Sequence, residues 1–214
     1  MLGSQRALFD IPREVCYLNA AGWSPLPLAT QAAARNAVGR KGQPWKLTAA
    51  FGNEQNERAR TAAARLINAD AADVALVPSI SYGVASAAKV LEVAKGSRVL
   101  VLQDDHTSPV LEWQSRAEGQ GFSVETVAQP GDGDWTSAVL AAIDRPNAAP
   151  LAVVSISSVH WSDGGAIDLM AVGKAAKTKS AVLLVDATHG AGIMAIDVKA
   201  LDPDFLFFPT YKWT

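Results

Sequence analysis

Five short stretches of the chain concentrate side chains that can do chemistry: SISYG (79–83), QDDHTS (103–108), SISSVHWSDGG (155–165), DATHGAG (186–192) and PTYKW (209–213). Each follows a run of apolar residues. Serine hydroxyls and backbone amides at the opening of a helix suit an anion, because the first N–H groups of a helix are unpaired and carry partial positive charge. A carboxylate at the end of a buried strand suits a basic ring nitrogen, since an opposite charge at hydrogen-bond distance favours the protonated form. A lysine amine suits a carbonyl carbon, with which it bonds covalently. Hydroxyls, imidazoles, a carboxylate and a lysine on one rim therefore suit a ligand with a phosphate, an aromatic ring, a basic ring nitrogen and an aldehyde.

The elements that must bring these stretches together are legible in the alternation of the chain. NEQNERARTAAARLIN (53–68) has the composition and apolar spacing of a surface helix, and VALVP (74–78) reads as a strand. YGVASAAKVLEVAK (82–95) reads as a helix ended by Gly96, and RVLVL (98–102) as a buried strand. PVLEWQSRAEGQ, WTSAVLAAID and LMAVGKAAKTK continue as helices, and FSVETV, LAVVSIS, AVLLVD and DFLFF as strands. Strands with continuous Val, Leu and Ile are buried on both faces, which predicts an α/β fold with a three-layer, mostly parallel sheet covered by helices. In such sheets ligands collect at the carboxyl ends of the strands, where the five stretches fall. NADAADVA (68–75) and PGDGDW (130–135) read as surface turns.

Composition narrows the function classes. The 214 residues are 49% hydrophobic, enough for a substantial core, and 19 Lys+Arg against 21 Asp+Glu leave no basic surface for nucleic acid. Partners are expected to be a small molecule and copies of the chain itself. A single cysteine excludes an internal disulfide framework, and residues 1–15 lack the apolar run of a secretory signal, so the expected location is cytoplasmic. The longest apolar stretches fall far short of the roughly 20 residues that span a bilayer. The three histidines show no metal-ligand spacing, and neither a GxSxG elbow nor a GxxxxGK[ST] loop is present. A nicotinamide-binding domain is the plain α/β alternative, but it needs a Gly-rich turn after an early strand and the turn here is Ser-rich.

DATHGAG followed by FPTYKW resembles the class V aminotransferase family of fold-type I enzymes that use pyridoxal 5'-phosphate (PLP), which includes cysteine desulfurases and isopenicillin N epimerase-like proteins. The resemblance runs from YLNAAGWSPLP (17–27) to the last residue. It implies a lysine Schiff base at Lys212, Asp186 against the pyridine nitrogen, His189 near the phenolic oxygen, and His106 stacked on the ring. It also implies a phosphate site at Ile80, Ser81 and Tyr82; where many relatives carry Ser-x-His-Lys this chain has Pro209-Thr210-Tyr211-Lys212, with Thr210 or Tyr211 replacing the missing phosphate ligands. Asn19, Ala20, Ala21 and Trp161 are the implied substrate-side residues. Trp161 stands where desulfurase-like relatives often have Asn, which leaves His160 to contact the phenolic oxygen. The implied domain division is an amino-terminal substrate-side segment, 1–28, and a cofactor-binding large domain, 29–214, that stops just after its lysine as a truncation would.

The implied activity is that of a homodimer acting on a small amino acid, by transamination, elimination of the C–S or C–C lyase type, or epimerisation. The sequence holds no residue that chooses among these. A catalytically inactive protein retaining the PLP fold is the alternative. Taken singly, each residue also has a plain structural reading. Asp186, Ser79 and Ser81 are good helix N-caps, His106 and His160 suit ordinary rim positions, His160 the more so, and Cys16 suits a small buried or half-buried thiol.

Overall fold

A computed structural model describes residues 3–213. Its helices and strands in chain order are α1 (Leu28–Lys41), α2 (Ala49–Leu66), α3 (Ile80–Val90), β1 (Arg98–Leu102), α4 (Ser108–Gln120), β2 (Ser123–Val127), α5 (Trp135–Ile143), β3 (Leu151–Ser157), α6 (Leu169–Thr178), β4 (Val182–Asp186), α7 (Val198–Leu201) and β5 (Phe205–Phe207). Side-chain caps set most helix starts: Thr48, Ser79, Asp134, Asp168 and Asp197 each accept a backbone N–H from the first turn of the helix that follows. Gly121, at φ 78°, ends α4 in the left-handed conformation that glycine adopts without strain.

The five strands form one sheet in the order β2-β1-β3-β4-β5, and every pairing is parallel. Alternation along the strands divides the core into two layers. Leu100, Leu102, Val154, Ile156, Leu183 and Val185 pack with Trp135, Val139 and Val172 of α5 and α6. Val99, Val101, Val153 and Leu184 pack with Val84, Ala87 and Trp113 of α3 and α4 on the other face. The expected three-layer α/β architecture is thus present, with helices on both faces of a parallel sheet.

Register lines up the site. Ser157 of β3 lies opposite Asp186 of β4, which lies opposite Phe207 of β5, so the three strands end in one row. Chain order reverses between β1 and β3: the chain leaves β1 for β2 on one side and returns to place β3 on the other. Such a reversal opens a crevice beyond the strand ends, where ligands of open α/β sheets bind.

Two expected elements differ. Residues 74–78 form no strand; Leu76 and Val77 are exposed, and the Arg60 Nε donates to the Val74 carbonyl, so this stretch runs as a surface connection instead of pairing with the sheet. The helix from residue 80 stops at Val90, not at Gly96, which at φ 77° turns the chain into β1 and donates its N–H to the Gly121 carbonyl at 2.8 Å. Helix α1 had no counterpart in the sequence reading. None of its residues is buried, so no apolar stripe marks it. Cys16 is exposed, since the segment before α1 lies on the surface.

Candidate active site

Asp186 ends β4 with 1% of its surface exposed. Its Oδ1 accepts the Thr188 N–H at 2.9 Å, while Oδ2 is buried with no hydrogen-bond partner among the described residues. Burial pushes this carboxyl up from the ordinary range; the Thr188 donor opposes that, the nearby Asp105 carboxylate adds to it, and His106 opposes it. A buried carboxylate oxygen without a donor is costly unless a donor arrives. Small residues make the turn possible here: a side chain on Gly190 would meet the Ser158 Oγ at 2.5 Å, so Gly190 lets the loop after β4 lie against the end of β3.

Of the other expected residues, His106 stands near Asp186, and His189 stands near both His106 and Lys212. His106 leads from β1 toward α4 with its Nδ1 buried and without a hydrogen-bond partner among the described residues, and its ring meets Trp161 edge-on at 6.5 Å between centroids. Trp161 is anchored by its Nε1, which donates to the Asp104 carbonyl at 2.6 Å. His189 is half-buried, and its imidazole is pushed toward the neutral form by burial and then by the charges of Lys212 and His106. Lys212 sits two positions beyond Thr210 on the segment after β5, with its Nζ donating to the Ala21 carbonyl at 2.9 Å and lying 5.7 Å from the centroid of the Tyr211 ring.

The amino-terminal loop reaches the site through that lysine. The Asn19 carbonyl accepts the N–H groups of Gly22 and Trp23, and the Tyr17 hydroxyl donates to the Trp23 carbonyl at 2.6 Å, folding 17–23 into a tight turn. The carbonyls of Ala21 and Gly22 face Lys212, whereas the Asn19 side chain packs on Gly22 within its own turn.

At the other end, Ile80, Ser81 and Tyr82 form the first turn of α3, after the Ser79 cap. The Ser81 hydroxyl lies 3.0 Å from that of Ser108, the first residue of α4, so two helix starts meet there. Gly83 lets α3 press on β5: a side chain there would meet the Phe207 ring at 2.6 Å.

His160 takes the packed rim position, not one that reaches a ligand. It is 1% exposed, stacked on Trp135 at 4.4 Å, with Nε2 on the Gln103 carbonyl at 2.9 Å and Nδ1 on the Ser162 hydroxyl at 3.0 Å. Both ring nitrogens are satisfied, so it packs the rim and leaves no nitrogen for a ligand. Asp105 and Ser157, which the sequence reading passed over, hydrogen-bond to each other between His106 and Asp186. An acidic residue beside a histidine after a buried strand was the only signal for them.

A parallel sheet with helices on both faces and with Asp, His and Lys along its carboxyl rim defines the large-domain fold of PLP-dependent transferases. The structure of a cysteine desulfurase from Thermococcus onnurineus NA1 superposes with a TM-score of 0.79 at 23% identity, over 97% of this chain and 52% of that one. C-DES, in a mutant form with glycine covalently linked to its PLP cofactor, superposes with a TM-score of 0.82 at 19% identity, over 99% of this chain and 56% of that one. The aminotransferase class-V family model matches residues 16–214, and the chain belongs to that family. A probable cysteine desulfurase of Methanothermobacter thermautotrophicus is 30% identical over 96% of this chain and 52% of its own length. An uncharacterized aminotransferase of Bacillus subtilis, YcbU, is 29% identical over 81% of this chain and 44% of its own. The chain thus spans about half the length of the curated relatives it matches.

Proposed function

We propose that the chain is the cofactor-binding part of a PLP-dependent enzyme acting on a small amino acid. The observation that carries this reading is the unpartnered Oδ2 of the buried Asp186 on the same rim as His106, His189 and Lys212. A protonated ring nitrogen fits it: the N–H supplies the missing donor, and its positive charge draws the raised carboxyl back toward the ionised form. Bound at this rim, PLP supplies an electron sink for the pair left on Cα when a bond to that carbon breaks.

The chain's own residues divide the remaining work. Asp186 holds the proton on the ring nitrogen. Lys212 anchors the cofactor through its amine and, when free, moves the proton at Cα. Its two carbonyl acceptors hold that amine in place. The imidazole of His106 restricts ring tilt, and the neutral His189 offers a ring nitrogen near the phenolic oxygen. Ser81 and the amides of Ile80 to Tyr82, at the start of an 11-residue helix, suit the phosphate, with Thr210 and Tyr211 on the lysine segment. Asn19, Ala20, Ala21 and Trp161 line the substrate side. The cysteine desulfurase relatives favour C–S cleavage as the first reaction to assay, ahead of transamination. Homodimerisation in the cytoplasm completes this reading; among the described residues, no helix is long and apolar enough to cross a membrane.

The test is to add PLP, record the absorbance spectrum, reduce with borohydride and map the modified peptide by mass spectrometry. A cofactor mass on Lys212 supports the reading. No adduct, here or in a longer form of the protein, would sink it and favour an inactive protein that keeps the fold.

A further inference from the structure

The ladder between β1 and β3 stops at Leu100 opposite Val154, yet both strands continue toward the rim. Beyond that point three consecutive residues of the loop after β1 are tied to the β3 side. The Gln103 carbonyl meets His160 Nε2 at 2.9 Å, the Asp104 carbonyl accepts from Trp161 Nε1 at 2.6 Å, and the Asp105 carboxylate takes both donors of Ser157. Asp105 Oδ2 accepts the Ser157 N–H at 3.1 Å, and Oδ1 accepts the Ser157 hydroxyl at 2.6 Å and the His106 N–H at 2.7 Å. Asp104 is at φ 52°, a left-handed conformation that Asp adopts more readily than most non-glycine residues, and it turns the chain between these anchors.

The position of this clasp matters more than its strength. It crosses the crevice where strand order reverses, and Ser157 is the residue opposite Asp186 in the sheet. One end of the clasp therefore stands beside the carboxylate, and the other holds the backbone of His106. We propose that Asp105 is a positioning residue: by tying the end of β1 to Ser157 it sets the separation between His106 and Asp186, and so the width of the slot that a planar ring enters. The identity of that ring rests on the PLP reading; the clasp itself does not. A carboxylate is suited to the task because it is acceptor-only and faces three donors. Asparagine of the same shape must turn its NH2 toward one of them, so it breaks a rung without opening a hole.

Two measurements test this, and the first needs no cofactor. In the cofactor-free protein, the edge-on contact of His106 with Trp161 gives a ring-to-ring nuclear Overhauser effect between the imidazole and indole protons. The expected result is that this signal weakens in Asp105→Asn while the other two histidines keep their contacts; an unchanged signal would overturn the proposal. The second is PLP affinity by absorbance titration of wild type, D105N, H106A and the double variant. D105N is expected to weaken binding about tenfold, as loss of one charge-assisted hydrogen bond does, and to add no further loss in the H106A background. An equal loss in both backgrounds means that Asp105 does not act through His106, and the proposal fails. Should D105N not fold, Ser157→Ala removes only the hydroxyl rung and is expected to weaken both signals in the same direction. If wild type binds no PLP, the functional reading falls, while the Overhauser measurement still decides whether the clasp positions His106.

Discussion

Asp186 and Lys212 put opposite demands on the folded chain. The Asp186 carboxyl is raised above its ordinary value by burial, so folding favours its protonated form. Stability from this group is fully present below the unfolded value of about 3.9 and is lost as pH rises through the raised folded-state value. Burial raises Asp105 too, against the donors of Ser157 and His106, and it contributes with the same sign. Asp186→Asn in the cofactor-free protein should therefore flatten the decline: its thermal midpoint is expected to exceed that of wild type at pH 7 and to approach it near pH 4. Unfolding scans across that range check this, and a variant less stable at every pH would contradict it. Among the described residues, Lys212 meets two carbonyls of a surface loop and the Tyr211 ring. Lys212→Ala should keep the thermal midpoint within about 2 °C of wild type while abolishing the borohydride-trapped adduct.

Among the elements, the end of the sheet away from the rim carries the strongest polar anchor. Arg98 opens β1 with its Nε on the Ala149 carbonyl at 2.8 Å, Nη1 on Glu125 at 2.9 Å and the Ala142 carbonyl at 3.0 Å, and Nη2 on the Ile143 carbonyl at 3.2 Å. Two of those carbonyls belong to the last turn of α5, which carries no basic residue of its own. Removing Arg98 leaves those carbonyls without their donor and takes from Glu125 its buried partner, so Arg98→Ala should cost about 3–5 kcal/mol in urea unfolding. Arg145 meets the same Glu125 but is 53% exposed, and Arg145→Ala should cost at most about 1 kcal/mol. On the rim side, Gly192 at φ 96° has the Trp213 carbonyl oxygen 2.6 Å from where a side chain would begin. Gly192→Ala is expected to displace the segment bearing Lys212 and lower the yield of adduct, with the amide exchange of β1, β3 and β4 unchanged.

Packing is uneven across the chain. The sheet and α3 to α6 share two buried layers, whereas α1 buries none of its residues and α2 only Ala64. Val38 and Trp45 are each 76% exposed, and Leu18 and Trp23 more so. Apolar surface of this extent on segments that the core does not hold is the kind that a second chain covers. Light scattering is expected to give twice the chain mass, and hydrogen exchange to show the amides of α1 slowed on dimerisation. A monomer at all concentrations would remove the homodimer from the proposed function.

The α/β class was legible in the chain because both-face burial leaves an unbroken apolar run, and RVLVL, LAVVSIS and AVLLVD are such runs. The placement of Asp186, His106 and Lys212 after strands was legible for the same reason, since a strand's carboxyl end is a position in sequence as well as in space. Other features depended on neighbours that no local pattern names. VALVP has the composition of a strand but no partner to pair with, and α1 is a helix without an apolar stripe. His160 and His106 look alike in sequence, each after a strand; Trp135 and the Gln103 carbonyl enclose the first and leave the second with an open nitrogen. Asp105 is the sharpest case. Its role arises where the β1–β3 ladder ends, with Ser157 52 residues along the chain, and strand order is set by packing of the whole sheet, which residue type and spacing do not record.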